Sequence, residues 1–304
     1  MKNSVSNQVN NFKKKGIIEF NNIFQKEKCI NLYNQLTKDR EWGPSLFRSQ
    51  KDVILNPQYK KTNPGKGINN LAEKFNLDFI EKNEIIINIL NFILGIDFEI
   101  ILKKFVVAAP SHWIPSWLKG KIATSLAANL GPYIKEEFRD VTYFRGIDYH
   151  MDQIDFPNSN PDFITMYVYL NDTTPEMSPL HVIEKSHIYG PTKFPHFINE
   201  VNDDYVIYGL DKNNSKKLKK KMLMGNAGTA YIWSCLTLHG TQPQVDKDIF
   251  RISLRYLIKK NKKNKKKFLI DKLLPTDKKV LKTRDDINLK THEQKKKKFI
   301  RILK

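Results

Sequence analysis

The feature that most constrains this chain is a succession of short apolar runs in its second half. "FITMYVYL" (163–170), "LHVIEKS" (180–186), "GTAYIWSC" (228–235) and "FRISLRYLI" (250–258) are the clearest. Each is rich in β-branched or aromatic residues, is short, and is followed or preceded by turn-forming residues, which is the pattern of a strand. Several such strands in succession bury their apolar faces only by stacking two sheets or closing one, so a sandwich or barrel is expected from Val141 onward. The first half reads differently. Residues 17–20 suggest a short strand, and "NIFQKEKCINLYNQLTKD" sets Ile23, Cys29, Leu32, Tyr33 and Leu36 at helical spacing. Residues 42–67 read as loop, "INNLAEKFNL" and "EKNEIIINILNFIL" as two helices ending near Gly95, and "DFEIILKKFVVAA" as a strand. Residues 110–132 read as irregular or a short helical insertion, and 189–226 as a long polar loop in which "KKLKKK" forms a solvated face. The expected frame is mainly β with flanking helices.

Charge and cysteines narrow the setting. Residues 259–304 hold 19 Lys or Arg against 5 Asp or Glu, so +14 of the chain's +20 lies in this segment, which reads as a basic C-terminal tail after a domain spanning 1–258. Such a tail either stays solvated or meets an anionic partner such as nucleic acid or a membrane surface. Two weak helical patterns within it are interrupted at Pro275. Cys29 and Cys235 form no CxxC spacing, so neither a disulfide framework nor a cysteine metal site is expected. No run of about 18 uncharged apolar residues occurs and no signal-like apolar stretch opens the chain, so a cytoplasmic protein without a membrane span is expected.

Chemistry concentrates at "DYHMDQIDF" (148–156). His150 and Asp152 lie at i and i+2, so on a strand their side chains project from one face, close enough to bind one ion. Alone, that triplet is a polar pair of a kind many strands carry. A third ligand gives it weight: "LTLHGTQPQ" places His239 at the end of a strand, beside a glycine. Two histidines and a carboxylate on a β framework form the facial set that suits non-haem Fe(II), leaving adjacent coordination positions open. Arginine is rare here, 8 of 52 basic residues, yet two lie in "FRISLRY" among apolar neighbours. A guanidinium fork is the best partner for a carboxylate, so Arg251 is expected to hold the far carboxylate of a dicarboxylic cosubstrate. Arg255 is its rival, on the same strand face roughly 13 Å further along at about 3.3 Å per residue.

From "HMDQIDFPNSNPDFITMYVYLNDTTPEMSPLHVIEKSH" through "GTAYIWSCLTLHGTQPQ" to "FRISLRY", the chain resembles the phytanoyl-CoA dioxygenase family of Fe(II)- and 2-oxoglutarate-dependent oxygenases. The resemblance covers roughly residues 140 to 258, with a weaker echo at "GIIEFNNIFQKEKCINLYNQL". It implies a double-stranded β-helix, or jelly roll, with His150, Asp152 and His239 on iron, Arg251 on 2-oxoglutarate, and Thr241 as the hydroxyl residue beside the cosubstrate. The implied reaction is hydroxylation of a small molecule by O2, with release of succinate and CO2. Two departures stand out: Met151 occupies a position where glutamine is common, and Arg251 lies one residue later after His239 than the family pattern. Halogenating relatives replace the aspartate by a small residue, so Asp152 implies hydroxylation. Two other readings use the same residues. A zinc hydrolase needs a general base that no motif supplies. A non-enzymatic jelly-roll binder would engage nucleic acid or an anionic surface through its tail, and its association would depend strongly on salt.

Overall fold

A computed structural model describes residues 2–38, 40–61, 69–123, 125, 127–156, 159–192, 196, 198–209, 213, 215–242 and 248–273. The first half carries α1 (Lys2–Lys15), β1 (Ile17–Phe20), α2 (Lys26–Lys38), α3 (Gln50–Leu55), α4 (Asp78–Glu81), α5 (Glu84–Leu94), β2 (Glu99–Ala108), α6 (Ser116–Ala123) and β3 (Ala127–Asn129). The second half carries β4 (Thr142–His150), β5 (Phe163–Tyr169), β6 (Leu180–Ile183), β7 (Ile198–Asn202), β8 (Tyr205–Gly209), β9 (Ser215–Leu223), β10 (Ala230–Ser234), β11 (His239–Thr241), β12 (Ile252–Lys259) and α7 (Leu269–Leu273).

Strand order defines the architecture. One hydrogen-bonded path runs β1-β10-β5-β12-β2-β4-β11-β6-β9-β8-β7, with β3 added on β4. All described pairings are antiparallel except β2 with β4, where the path turns a corner. The two halves, β1-β10-β5-β12-β2 and β4-β11-β6-β9, then face each other. Tyr169 on β5 donates its hydroxyl to the Leu223 carbonyl on β9, and Trp233 on β10 donates to Asp152 just past β4. From β4 to β12 the chain alternates between the layers, β4, β6, β9 and β11 in one and β5, β10 and β12 in the other, so the strands wind as a double-stranded β-helix. The fold is mainly β with flanking helices.

Side-chain alternation on β12 separates two interiors. Ile252, Leu254, Tyr256 and Ile258 face the helices and join a large core with Ile86, Ile89, Leu90, Ile93 and Leu94 of α5. Those five α5 side chains contribute roughly 1.5–3 kcal/mol each on burial. Arg251, Ser253, Arg255 and Leu257 occupy the alternate positions, facing the space between the layers. Because the β5-β10-β12 layer is covered on both faces, its strands are buried along almost their whole length and mostly apolar, which is why they are so visible in the sequence. α5 starts at Asn83, whose side chain accepts from the Ile86 N–H, and stops at Gly95 with φ 101°, where the Phe268 ring would lie 2.6 Å from an added Cβ.

Several expectations need correction. The long polar loop expected over 189–226 contains three strands, β7 to β9, and "KKLKKK" is the middle of β9. Only Leu218 and Leu223 of that strand are buried, while Lys220 pairs with Glu200 and Lys221 with Glu19, so consecutive lysines here fall on both faces of a strand near the sheet's end. The polar N-terminus forms α1, anchored by the buried Phe12. Of the helix expected over "INNLAEKFNL" only a 3-10 turn at Leu71–Lys74 forms, and the loop expected over 42–67 contains α3, with a capping box at Ser49. The segment after β12 does not leave the fold at once: Ile270 of α7 is buried in the helical core and Asp271 pairs with Lys260. Residues 274–304, most of the expected tail, lie outside the described residues. Among the described residues no helix is long and apolar enough to cross a membrane. Cys29 and Cys235 are unpaired and buried.

Candidate metal centre

Register brings the three expected ligands together. β4 ends at His150, and antiparallel pairing sets His239, the first residue of β11, directly opposite it. His239 therefore opens a three-residue strand after the Cys235–Leu238 turn, whereas the sequence suggested a strand end. Met151 is extended (φ −107°, ψ 139°), so Asp152 returns to the face of His150 before a 3-10 turn begins. One ligand atom from each of His150, Asp152 and His239 lies within 4.8 Å of the others, and all three residues are buried. The imidazole rings sit 4.3 Å apart, and His239 Nε2 is 3.6 Å from Asp152 Oδ1.

Each ligand is oriented from behind. His150 Nδ1 lies 3.0 Å from the Asp148 carbonyl and His239 Nδ1 2.9 Å from the Thr237 carbonyl. A carbonyl only accepts, so both Nδ1 atoms donate, and the Nε2 atoms are the ones left to face a metal. Asp152 Oδ2 accepts from Thr165 Oγ1 at 2.5 Å and Trp233 Nε1 at 3.0 Å, and Oδ1 accepts from Arg255 Nη2. Burial would raise the Asp152 pKa, but Arg255 and the two imidazoles hold it well below the usual carboxylate range. A fixed carboxylate beside two imidazoles is a donor set for a divalent cation of intermediate softness, with one face left open.

The same cleft contains both arginines. Arg251, only 1% exposed, donates from Nε to the Ser178 carbonyl at 3.0 Å and from Nη1 to Ser253 Oγ at 2.8 Å and Tyr167 Oη at 3.2 Å. Thr241 Oγ1 also lies on the cleft and is buried, with no hydrogen-bond partner among the described residues. A deep guanidinium and an orphaned hydroxyl in one cleft are the parts of an acceptor-ligand site. Arg255 lies closer to the metal set, on Asp152 itself.

Sequence reasoning missed Thr165 of β5 and Trp233 of β10, which hold Asp152, and Ser178 in the turn before β6, which holds Arg251. Tyr167 of β5 also lines the cleft. Ser178 adopts a left-handed conformation (φ 55°), which no motif announced. The other histidines stand elsewhere. His181 and His187 are buried, and desolvation lowers both to about 4, with Lys220 adding to the effect on His181 and the Lys13 carbonyl opposing it on His187. His112 is exposed, and His196 is buried against Thr192 and Tyr208.

No protein-family model matches the chain, and no curated protein matches it in sequence. Solved structures do resemble it. The epimerase SnoN, crystallised with Fe3+, alpha ketoglutarate and nogalamycin RO, is 11% identical with a TM-score of 0.48, over 85% of this chain and 84% of that one. EvdO2 from Micromonospora carbonacea var. aurantiaca, complexed with 2-oxoglutarate, is 12% identical with a TM-score of 0.44, over 84% of this chain and 90% of that one. Neither reaches a TM-score of 0.5, so the architecture rests on strand order and the site on its own geometry.

Proposed function

We propose that the protein is an Fe(II)- and 2-oxoglutarate-dependent dioxygenase that hydroxylates a small molecule. The observation that carries this reading is one cleft holding His150, Asp152 and His239 within 4.8 Å of one another together with Arg251 and the unpartnered Thr241 hydroxyl. His150, Asp152 and His239 would hold the iron through two Nε2 atoms and one carboxylate oxygen. Bound iron would supply dioxygen activation: 2-oxoglutarate is oxidised to succinate and CO2 with one oxygen atom of O2, and the other enters a substrate C–H bond as hydroxyl.

The remaining parts are the protein's own. Arg251 and Thr241 take the far carboxylate of 2-oxoglutarate, the first by charge and the second as a hydroxyl donor. Trp233, Thr165 and Arg255 fix the Asp152 carboxylate, so the ligand set is built before any ligand enters. Phe144, Ile147, Val106 and Leu180 give the cleft apolar walls that exclude water. Asp152 occupies the position that halogenation requires to be small, which favours hydroxylation.

A phytanoyl-CoA dioxygenase relationship rests on the motif order set out above, and the small-molecule substrate and cytoplasmic setting belong to the same proposal. The zinc-hydrolase alternative lacks support, because the described cleft lining holds no carboxylate or imidazole beyond the three ligands. The nucleic-acid or surface-binding alternative depends mainly on residues outside the described ones. Anaerobic addition of 2-oxoglutarate to the Fe(II) protein tests the reading through the visible charge-transfer band of a chelated keto acid. Succinate release across a metabolite panel then addresses the substrate.

A further inference from the structure

We propose that Arg255 grips the near, keto-acid carboxylate of the cosubstrate while Arg251 grips the far one, so that one face of β12 clamps both ends of the diacid. This rests on the oxygenase reading above and assigns a role to a residue which that reading uses only to hold Asp152.

Placement comes first. Arg251, Ser253 and Arg255 alternate on the inner face of β12, and both arginines line the cleft that holds the metal ligands. Arg255 Nη2 donates to Asp152 Oδ1, the same oxygen that lies 3.6 Å from His239 Nε2. The guanidinium therefore sits at the point where the three ligand atoms converge, and a group bound beside Asp152 meets it. Arg251 is fixed elsewhere, on Ser178, Ser253 and Tyr167.

Capacity and charge agree with that placement. A guanidinium has five N–H donors, and among the described residues Arg255 makes one hydrogen bond, to Asp152. Its side chain is 12% exposed, so donors remain for a ligand. Two buried or half-buried guanidinia face one carboxylate here, and a divalent cation would add two more positive charges. A dianion with its charges at opposite ends offsets that excess at both arginines. Met151, at the position where the family resemblance expects a glutamine to reach the cosubstrate, turns instead into the apolar cluster with Tyr149 and Leu236. Arg255 supplies a donor at that end.

The test compares two keto acids on the full-length protein with saturating Fe(II) under anaerobic conditions, reading the charge-transfer band. 2-Oxoglutarate has both carboxylates, and 2-oxopentanoate has the same chain length without the far one. For the unaltered protein the diacid should bind at least about 100-fold more tightly. Arg251→Gln should collapse that preference to under about fivefold by weakening the diacid alone, whereas Arg255→Gln should weaken both acids about tenfold and keep the preference. Mn(II) binding without acid, followed by calorimetry, reports on Asp152 separately: Arg255→Gln removes one support of that carboxylate and should weaken Mn(II) by about 10- to 100-fold while binding at one equivalent remains measurable. If that variant loses Mn(II), Arg255→Lys keeps the charge beside Asp152 without the fork, and it should retain the metal while weakening both acids.

Three results would overturn the inference: both acids binding Arg255→Gln as tightly as the unaltered protein, loss of the diacid preference in Arg255→Gln, or loss of Mn(II) in both Arg255 variants. A missing band in the unaltered protein instead marks failure of the oxygenase reading itself.

Discussion

At the scale of single residues, the site depends on side chains that would not touch the metal themselves but hold a residue that would. Thr165 Oγ1 and Trp233 Nε1 both donate to Asp152 Oδ2, leaving Oδ1 as the oxygen nearest His239. Removing one such support weakens metal sites by about 10- to 100-fold. Thr165→Val, nearly isosteric, is therefore expected to lower Mn(II) affinity by that factor while thermal stability changes little, as calorimetry and a melt would show. Unchanged affinity would mean that the carboxylate is held by Arg255 and Trp233 alone. The three residues that converge were legible in the sequence as candidates, because an i, i+2 pair on a strand and a distant His-Gly need only local reasoning. Their supports were not, since Thr165 and Trp233 meet Asp152 only through a strand order that no local pattern encodes.

Elements explain where sequence reading worked and where it stopped. A strand buried on both faces declares itself, as "FITMYVYL" does for β5. β9, with Leu218 and Leu223 its only buried side chains among lysines, reads as a solvated loop until it is seen paired to β6 and β8. α1 is equally hidden, because its anchorage comes from far along the chain: Lys185 N–H donates to the Lys15 carbonyl, and Thr237 and Ser234 donate to the Gly16 carbonyl. Gly16 has φ 78°, and a Cβ there would lie 2.3 Å from His187 Nδ1. Gly16→Ala should therefore destabilise the fold by about 2 kcal/mol, from left-handed strain plus displacement of His187. Urea denaturation measures it, and a change under about 0.5 kcal/mol would show that the junction yields freely.

For the whole molecule, buried histidines tie stability to pH. Burial lowers the pKa values of His187 and His181 from the usual 6.5 to about 4. The unfolded chain then binds more protons between those values, so their stabilisation is complete above 6.5 and is lost as pH falls toward 4. Each contributes about 3 kcal/mol by this linkage. Melting temperature should fall across that window, and His187→Asn should flatten the fall. A profile equally steep in the variant would place the titration elsewhere. The measurement that bears most directly on the central claim is absorption of the anaerobic Fe(II) protein during addition of 2-oxoglutarate. Three side chains converging on one ferrous ion predict a saturable visible band at one equivalent of iron, absent in His150→Ala and in His239→Ala. A band that persists undiminished when either imidazole is removed, or no band in the unaltered protein, would contradict it.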